Sequence, residues 1–564
     1  MSLLQAEDIV KRRPLAQFPM DIWGHNFINV GIEDNLSFER YNKEIEPLKE
    51  AVQATLMDNS TSIAKKMSLI DAIEHLGVSY LYEHKIKLLL DYVFEEVARN
   101  DYEIGCDLCE TAAQFRIFRQ HGHNMPCDVF NKFTNGKGKF RESLKSDIKG
   151  MASLYEAAHL RVHGENILEE ALIFATAFLR SIAKSSEQAR RALKHPLHHT
   201  MLKVETRHFI SVYEEDKSRN ETLLRLAKID FNRLQMLYCQ ELSQHQKWWN
   251  SFNFTTKLPY IRNRSVETHF VANGVYFEPQ YSFGRLLLAK VALVIIVLDD
   301  TYDAYGTYEE LQLLTDAFER WDRSAMDQLS DNLKIVFEFV INLFDEFTKE
   351  MIKRGKTYAG QFAKQVVMEL IRCFMDEVKW REAEYTPSYE EYMTRGRITG
   401  LAPIMLISSF MGMDEIVDEK PFQLIKQSPK AIRACELFCR LTNDIYSHEA
   451  EKVRGDSSSA VECYMKDYGI SREETVEIFQ KKLEDVWKDI NEELLLVSKN
   501  SPTDYNDEVH EEEQKEELPK PVLKRCLDLC RMVNVLYKGN DGFTHPAEVV
   551  KDHITALYAR PFSI

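Results

Sequence analysis

The sequence predicts an all-α protein built from two helical domains, and three observations carry that prediction. Apolar residues recur at i, i+3, i+4 and i+7 through long stretches such as 36–98, 140–192 and 222–248, with charged residues between them, which is the pattern of amphipathic helices. Helix breakers are scarce: 21 glycines and 16 prolines in 564 residues leave room for long uninterrupted helices. That length also exceeds what one hydrophobic core ordinarily supports, which favours two or more domains.

Along the chain, residues 1–35 contain prolines and no sustained period, so they read as an irregular arm. Two helical regions follow, separated by the polar cluster Glu214–Asn220. A boundary within 215–222 divides the chain into 1–220 and 221–564. The acidic stretch 499–519, closing on Pro-Lys-Pro, reads as a surface loop, and no repeat of solenoid period is visible.

Composition narrows the function. A 44% hydrophobic and 29% charged chain is of the soluble globular type. A formal charge of −17 argues against a general nucleic-acid binder, yet a few arginines and a bound cation would still admit an anionic substrate. The ten cysteines include Cys106/Cys109 and the i,i+4 pairs Cys435/Cys439 and Cys526/Cys530, with no second ligand pair placed for zinc; they are expected to be free thiols. The N-terminus shows no apolar signal region and no Ser/Arg-rich transit segment, and the longest apolar run, 286–298, contains Lys290 and reads as too short to span a bilayer. The expectation is a cytosolic protein.

Three constellations carry chemistry. The first is the apolar run Val291–Leu298 followed by Asp299-Asp300-Thr-Tyr-Asp303. On a helix, Asp299 and Asp303 share one face at i,i+4, where two carboxylates suit hard cations such as Mg²⁺. The same face continued backwards names Ala292, Ile295 and Ile296 as pocket residues. The β-branched run reads equally well as a buried strand ending in an acidic turn. The second is Arg440-Leu-Thr-Asn443-Asp444-Ile-Tyr-Ser447-His-Glu-Ala-Glu451. Asn443, Ser447 and Glu451 form one helical stripe of oxygen donors, and Arg440 stands one turn before them, placed for an anion. The third is Arg262-Asn-Arg264, whose guanidinium forks suit phosphate oxygens. Each alone has a bland reading as a solvated polar face. Together they converge on one diphosphate.

These motifs, in this order, resemble the plant terpene synthase family nearly end to end. Arg13-Pro14 with Trp23 resembles its N-terminal R(P)x8W signature, DDTYD its DDxxD motif, 443–451 its (N/D)DxxSxxxE motif and 262–264 its RxR motif; 226–249, 274–281 and 540–546 are also similar. The resemblance implies an N-terminal α-barrel domain, 1–220, non-catalytic and with an N-terminal strand capping the active site. It implies a C-terminal class I terpenoid synthase helical bundle over 221–564. Asp299 and Asp303 would then hold two of three Mg²⁺ ions (Mn²⁺ a possible substitute), and Asn443, Ser447 and Glu451 the third. Asp300 and Asp444 would stand behind these ligands, while Arg262, Arg264 and Arg440 clamp the diphosphate. Tyr537 and Asp541 would line or close the pocket. Without a DxDD motif, protonation-initiated cyclisation is not expected.

A helix break around Ile398-Thr399-Gly400, with Pro403 beyond, would either turn backbone carbonyls towards a cation or be an ordinary kink. The family often has Trp where Val271 stands, and Tyr where Phe543 stands. Arg395 and Arg397 beside the break are expected to point outward or towards diphosphate. The implied activity is that of a monomeric sesquiterpene synthase acting on farnesyl diphosphate. A monoterpene synthase using geranyl diphosphate is the alternative, and so is a chain-elongating trans-prenyltransferase, which would carry a second DDxxD where Asn443…Glu451 stands.

Overall fold

Helix follows helix from Asn35 to Ala559 in the computed structural model, which describes residues 18–24, 26–28, 35–99, 102–413, 416–454, 458–496 and 518–564. Arg13 and most of the acidic stretch 499–519 lie outside these residues. Among the described residues the extended pairing is confined to an isolated bridge between Thr134 and Phe140, so the all-α prediction holds.

Apolar side chains gather into two large cores. One joins Ile45 through Phe231, and the other runs from Met201 to Tyr558 with Trp23 and Phe27 of the N-terminal arm added to it. A 31-residue helix, Glu221–Ser251, links them. Its start is fixed by Asn220, whose side-chain oxygen accepts from Leu223 N at 3.0 Å. Leu223–Phe231 pack into the first core and Leu234–Trp249 into the second. The polar cluster 214–220 is therefore a short connection ahead of this helix, while the change of packing partner falls about three turns inside it. Arg161–Glu484 (2.5 Å), Lys488–Glu169 (2.6 Å) and His198–Asn491 (2.7 Å) tie the halves together.

The apolar run that read as helix or strand is a helix, Ser282–Ala304. Leu287–Ala289 and Val291–Leu298 are all buried, enclosed by neighbouring helices that include Ser265–Val275, Asp331–Lys353, Ala359–Glu382 and Ala402–Met411. Burial of each such Leu, Ile or Val stabilises by about 1.5–3 kcal/mol, which outweighs the small helix penalty of β-branching. The run 286–298 lies within a longer stretch, Pro279–Ala304, that is long and apolar enough to cross a bilayer by length and composition alone, but it is mostly enclosed by protein. After Gly306 the chain restarts in a helix with a capping box, Thr307 N donating to Glu310 Oε2 at 3.2 Å and Glu310 N to Thr307 Oγ1 at 3.4 Å. All ten cysteines are free.

Candidate active site

A cavity of about 220 Å³ opens inside the C-terminal core. Its lower wall is apolar, with Val271, Ala292, Ile295, Ile296, Phe374, Met405, Leu529 and Val533. Asp299, Asp303, Glu377, Asn443, Ser447, Glu451, Arg262 and Arg440 form the polar part of the lining. Apart from Arg264, Asp300 and Asp444, every residue expected at the site from sequence lines this one cavity, including Thr399, Gly400, Tyr537 and Asp541.

Asp299 and Asp303 come from the last two turns of the Ser282–Ala304 helix. The helix end is held by Arg381, which donates to the carbonyls of Asp303 (3.0 Å) and Tyr302 (3.1 Å). Asp299 accepts from Arg262 Nη2 at 2.5 Å. Asp300 points away from the cavity and is wholly buried. It accepts from Arg262 N at 2.7 Å, and its second oxygen lies 2.7 Å from Arg262 Nη2 but out of line for a hydrogen bond. Burial pushes its carboxyl up to about 6 against the pull of Arg262. Asp300 thus orients Arg262 and the loop that carries it.

On another helix, Ala359–Glu382, stands Glu377, which the motifs did not name. It is buried, lines the cavity and accepts from Thr399 Oγ1 at 2.7 Å. Burial pushes its carboxyl up to about 7, opposed by Arg440 and assisted by the charges of Asp444 and Asp299. The sequence held a signal for it: Glu377 is in phase with the apolar stripe Ala363, Val367, Leu370 and Phe374, and an acid on a core stripe has work other than solvation.

The Lys430–Arg454 helix supplies Arg440, Asn443, Ser447 and Glu451. Arg440 Nη2 donates to Asn443 Oδ1 and to Asp444 Oδ1. Burial works against its charge, but Asp444 and neighbouring acids outweigh that and keep it ionised. Asn443 Nδ2 donates to Tyr537 Oη at 2.8 Å, and Ser447 Oγ to Asn443 O at 2.9 Å. Asp444 is wholly buried and faces away, accepting from Tyr392 Oη at 3.0 Å and Ala460 N at 2.8 Å.

The expected helix break falls between Tyr389–Thr399 and Ala402–Met411. Gly400 has an ordinary φ of −68°, and the left-handed residue is Leu401, with φ +75°. Glycine suits the close approach here: a Cβ on it would sit 3.0–3.1 Å from Arg440 Cβ, Cα and N, tighter than ordinary contact. Arg395 and Arg397 face Asp376 and Glu436, outside the cavity lining.

At the mouth, Asp541 Oδ1 accepts from Phe543 N (2.9 Å) and Thr544 N (3.1 Å), shaping the loop that covers one side. Arg262 lines the cavity, as expected. Arg264, expected to clamp the diphosphate with it, is not part of that lining. Its side chain is fully enclosed, and it donates to the carbonyls of Pro19, Asn263, Phe543 and Thr544 at 2.9–3.1 Å. Of the loop 262–264, Arg262 alone is part of the cavity lining. Phe18, Phe374, Cys439 and Tyr446 also line it and were not named by the motifs.

The donor set fits a hard divalent cation. The carboxylates of Asp299, Asp303, Glu377 and Glu451, the amide oxygen of Asn443 and the hydroxyl of Ser447 are all oxygen ligands, brought to one cavity by three helices.

Comparison with known proteins agrees with this geometry. Residues 22–201 match the family model of the terpene synthase N-terminal domain, and residues 250–489 that of the terpene synthase family metal-binding domain. The chain is similar to (-)-germacrene D synthase of Vitis vinifera, 41% identical over 98% of this chain and 96% of that protein. It is similar to a valerianol synthase of Camellia sinensis, at 40% over 97% and 96%. Among solved structures it is similar to limonene synthase with 2-fluorolinalyl diphosphate (TM-score 0.87, 27% identity, 98% of this chain and 100% of that one). It also resembles isoprene synthase of grey poplar in complex with three Mg²⁺ ions and dimethylallyl-S-thiolodiphosphate (TM-score 0.84, 29% identity, 94% and 99%).

Proposed function

The chain belongs to the terpene synthase family, and we propose that it is a sesquiterpene synthase: it ionises farnesyl diphosphate with the help of divalent metal and closes the C15 cation within its apolar cavity. The observation that carries this reading is one cavity with a dry apolar wall and two separate faces of oxygen donors beside two charged arginines. The relatives named for germacrene D, valerianol and hedycaryol are sesquiterpene synthases, which favours the C15 substrate.

Asp299, Asp303 and Glu377 would hold metal on one side, and Asn443, Ser447 and Glu451 on the other, with three Mg²⁺ as the proposed number and Mn²⁺ as a substitute. When bound, such ions neutralise the diphosphate and draw electrons from its bridging oxygen, lowering the barrier to C–O cleavage. Arg262 and Arg440, both charged, bind the diphosphate oxygens through paired N–H donors and stabilise the charge that grows there as the bond breaks. Asp300 and Asp444 set the orientation of these arginines. Val271, Ile295 and Ile296 fold the chain without offering it a nucleophile, and the rings of Phe374, Tyr446 and Phe543, which line the cavity, stabilise the cation through cation–π attraction. Phe18 and the 540–545 loop keep water out until the cation loses a proton or is captured. We divide the chain into a non-catalytic 1–220 and a catalytic 221–564, and propose a cytosolic monomer.

Incubation of the purified protein with Mg²⁺ and farnesyl diphosphate, followed by gas chromatography of extracted volatiles, tests this. C15 terpenes with stoichiometric diphosphate are expected. C10 products from geranyl diphosphate alone would move the reading to a monoterpene synthase. Longer diphosphates formed only with isopentenyl diphosphate would replace it with chain elongation.

A further inference from the structure

Residues 262–264 touch a different part of the chain on each side. Towards the N-terminal arm, the Arg262 guanidinium lies 4.3 Å from the Phe18 ring centroid, Asn263 Nδ2 donates to Asp21 Oδ2 at 2.9 Å, and Arg264 Nη2 donates to Pro19 O at 2.9 Å. One turn further on, Glu267 accepts from Trp23 Nε1 at 2.8 Å. Towards the C-terminal loop, Arg264 donates from Nε to Phe543 O at 2.9 Å and from Nη2 to Thr544 O at 3.1 Å. A rigid planar fork with five donors can join two backbones this way, and a lysine ammonium cannot reproduce it. Phe18, Phe543 and Thr544, the residues at or beside these bonds, all line the cavity.

We propose that the two arginines have divided roles: Arg262 binds the anion, and Arg264 is a positioning residue that fastens the N-terminal arm to the 540–545 loop across the cavity mouth and thereby governs how completely water is excluded from the cation. The proposal rests on the terpene synthase reading of the cavity. When the fastening loosens, a water oxygen bonds to the cationic carbon and loses its proton to solvent, giving an alcohol in place of the cyclised product. A diphosphate ligand and a fastener differ in what their loss does: the first weakens anion binding, and the second changes the fate of the cation.

The test compares full-length Arg262→Gln, Arg264→Gln and Trp23→Phe with the parent. Trp23→Phe keeps a packed ring of smaller size, removes the bond to Glu267, and serves if Arg264→Gln fails to fold. Two quantities are read: calorimetric affinity for inorganic diphosphate with Mg²⁺, and the ratio of water-captured to cyclised product from farnesyl diphosphate in H₂¹⁸O. Arg262→Gln should weaken diphosphate binding by about tenfold or more, the loss expected for a charge-assisted pair. Arg264→Gln should leave that affinity within about twofold and raise the ¹⁸O-labelled share by about tenfold, with Trp23→Phe changing the share in the same direction. The proposal is overturned if Arg264→Gln loses diphosphate affinity as Arg262→Gln does while the product ratio stays fixed, or if Trp23→Phe leaves the ratio unchanged. If the parent forms no terpene from any prenyl diphosphate, the reading of the cavity falls, and the diphosphate affinities still decide how the arginines divide.

Discussion

Replacing Gly400 by alanine tests how closely the two metal-binding faces depend on one helix contact. The backbone at Gly400, φ −68° and ψ −2°, is open to any residue. On conformational entropy alone, alanine there would stabilise by about 0.4–1 kcal/mol. Space decides the sign. The added Cβ would stand 3.0 Å from Arg440 Cβ and 3.1 Å from its Cα and N. Two of those atoms are backbone of a 25-residue helix, so relief requires the helix to move by a few tenths of an ångström. Overpacking of this kind costs about 1–3 kcal/mol, which leaves a net loss of about 0–2.6 kcal/mol, centred near 1 kcal/mol. The same displacement shifts Asn443, Ser447 and Glu451 relative to Asp299 and Asp303. Because a misplacement of ~1 Å can cost ~10²-fold, a few tenths should raise the Mg²⁺ concentration for half-maximal turnover on the order of tenfold. Urea unfolding and the Mg²⁺ dependence of diphosphate release measure the two effects. A Gly400→Ala protein as stable as the parent, with an unchanged Mg²⁺ requirement, would refute the reasoning.

Two further outcomes are expected. Glu241 is buried against Arg285 (2.7 and 2.9 Å) and His269 (3.2 Å); burial pushes its carboxyl up, but these partners outweigh it and hold it down at about 2. Its contribution to stability is therefore complete above about pH 4.5 and is lost as pH falls towards about 2, whereas Arg285→Gln should cost about 3–5 kcal/mol at neutral pH, read by urea unfolding, and shrink that acid-side loss. Glu451→Gln keeps an oxygen donor but removes a charge, so it should raise the Mg²⁺ requirement without changing urea stability by more than about 0.5 kcal/mol.

The parts of the site that sequence could reach are those fixed by one helix. Asp299 with Asp303, and Asn443 with Ser447 and Glu451, share a face because i,i+4 spacing makes it so, wherever the helix later packs. What could not be read depends on docking. Arg262 and Arg264 are equivalent in sequence, and only the approach of Pro19 and the 543–544 backbone shows which one is enclosed. Glu377 was hidden because its helix carries acids on its exposed face too, and only its phase with Phe374 set it apart. The apolar run 286–298 fits strand and helix alike until its neighbours, helices that offer no strand edge to pair with, decide for helix. The break expected at 398–400 falls between Thr399 and Ala402, with the left-handed φ at Leu401 and the close approach to Arg440 at Gly400. The domain boundary was drawn at a polar connection, while the cores change over inside the helix that follows it.

The central claim is that Asp299 belongs to a metal-assisted ionising site at the end of an apolar cavity. Its most direct test is diphosphate release and C15 volatile formation from farnesyl diphosphate with Mg²⁺, measured for the parent and for Asp299→Ala at matched helical content by circular dichroism. The parent should form both products, and the variant should lose turnover by about two orders of magnitude or more while keeping its fold. Full turnover in Asp299→Ala would contradict the account.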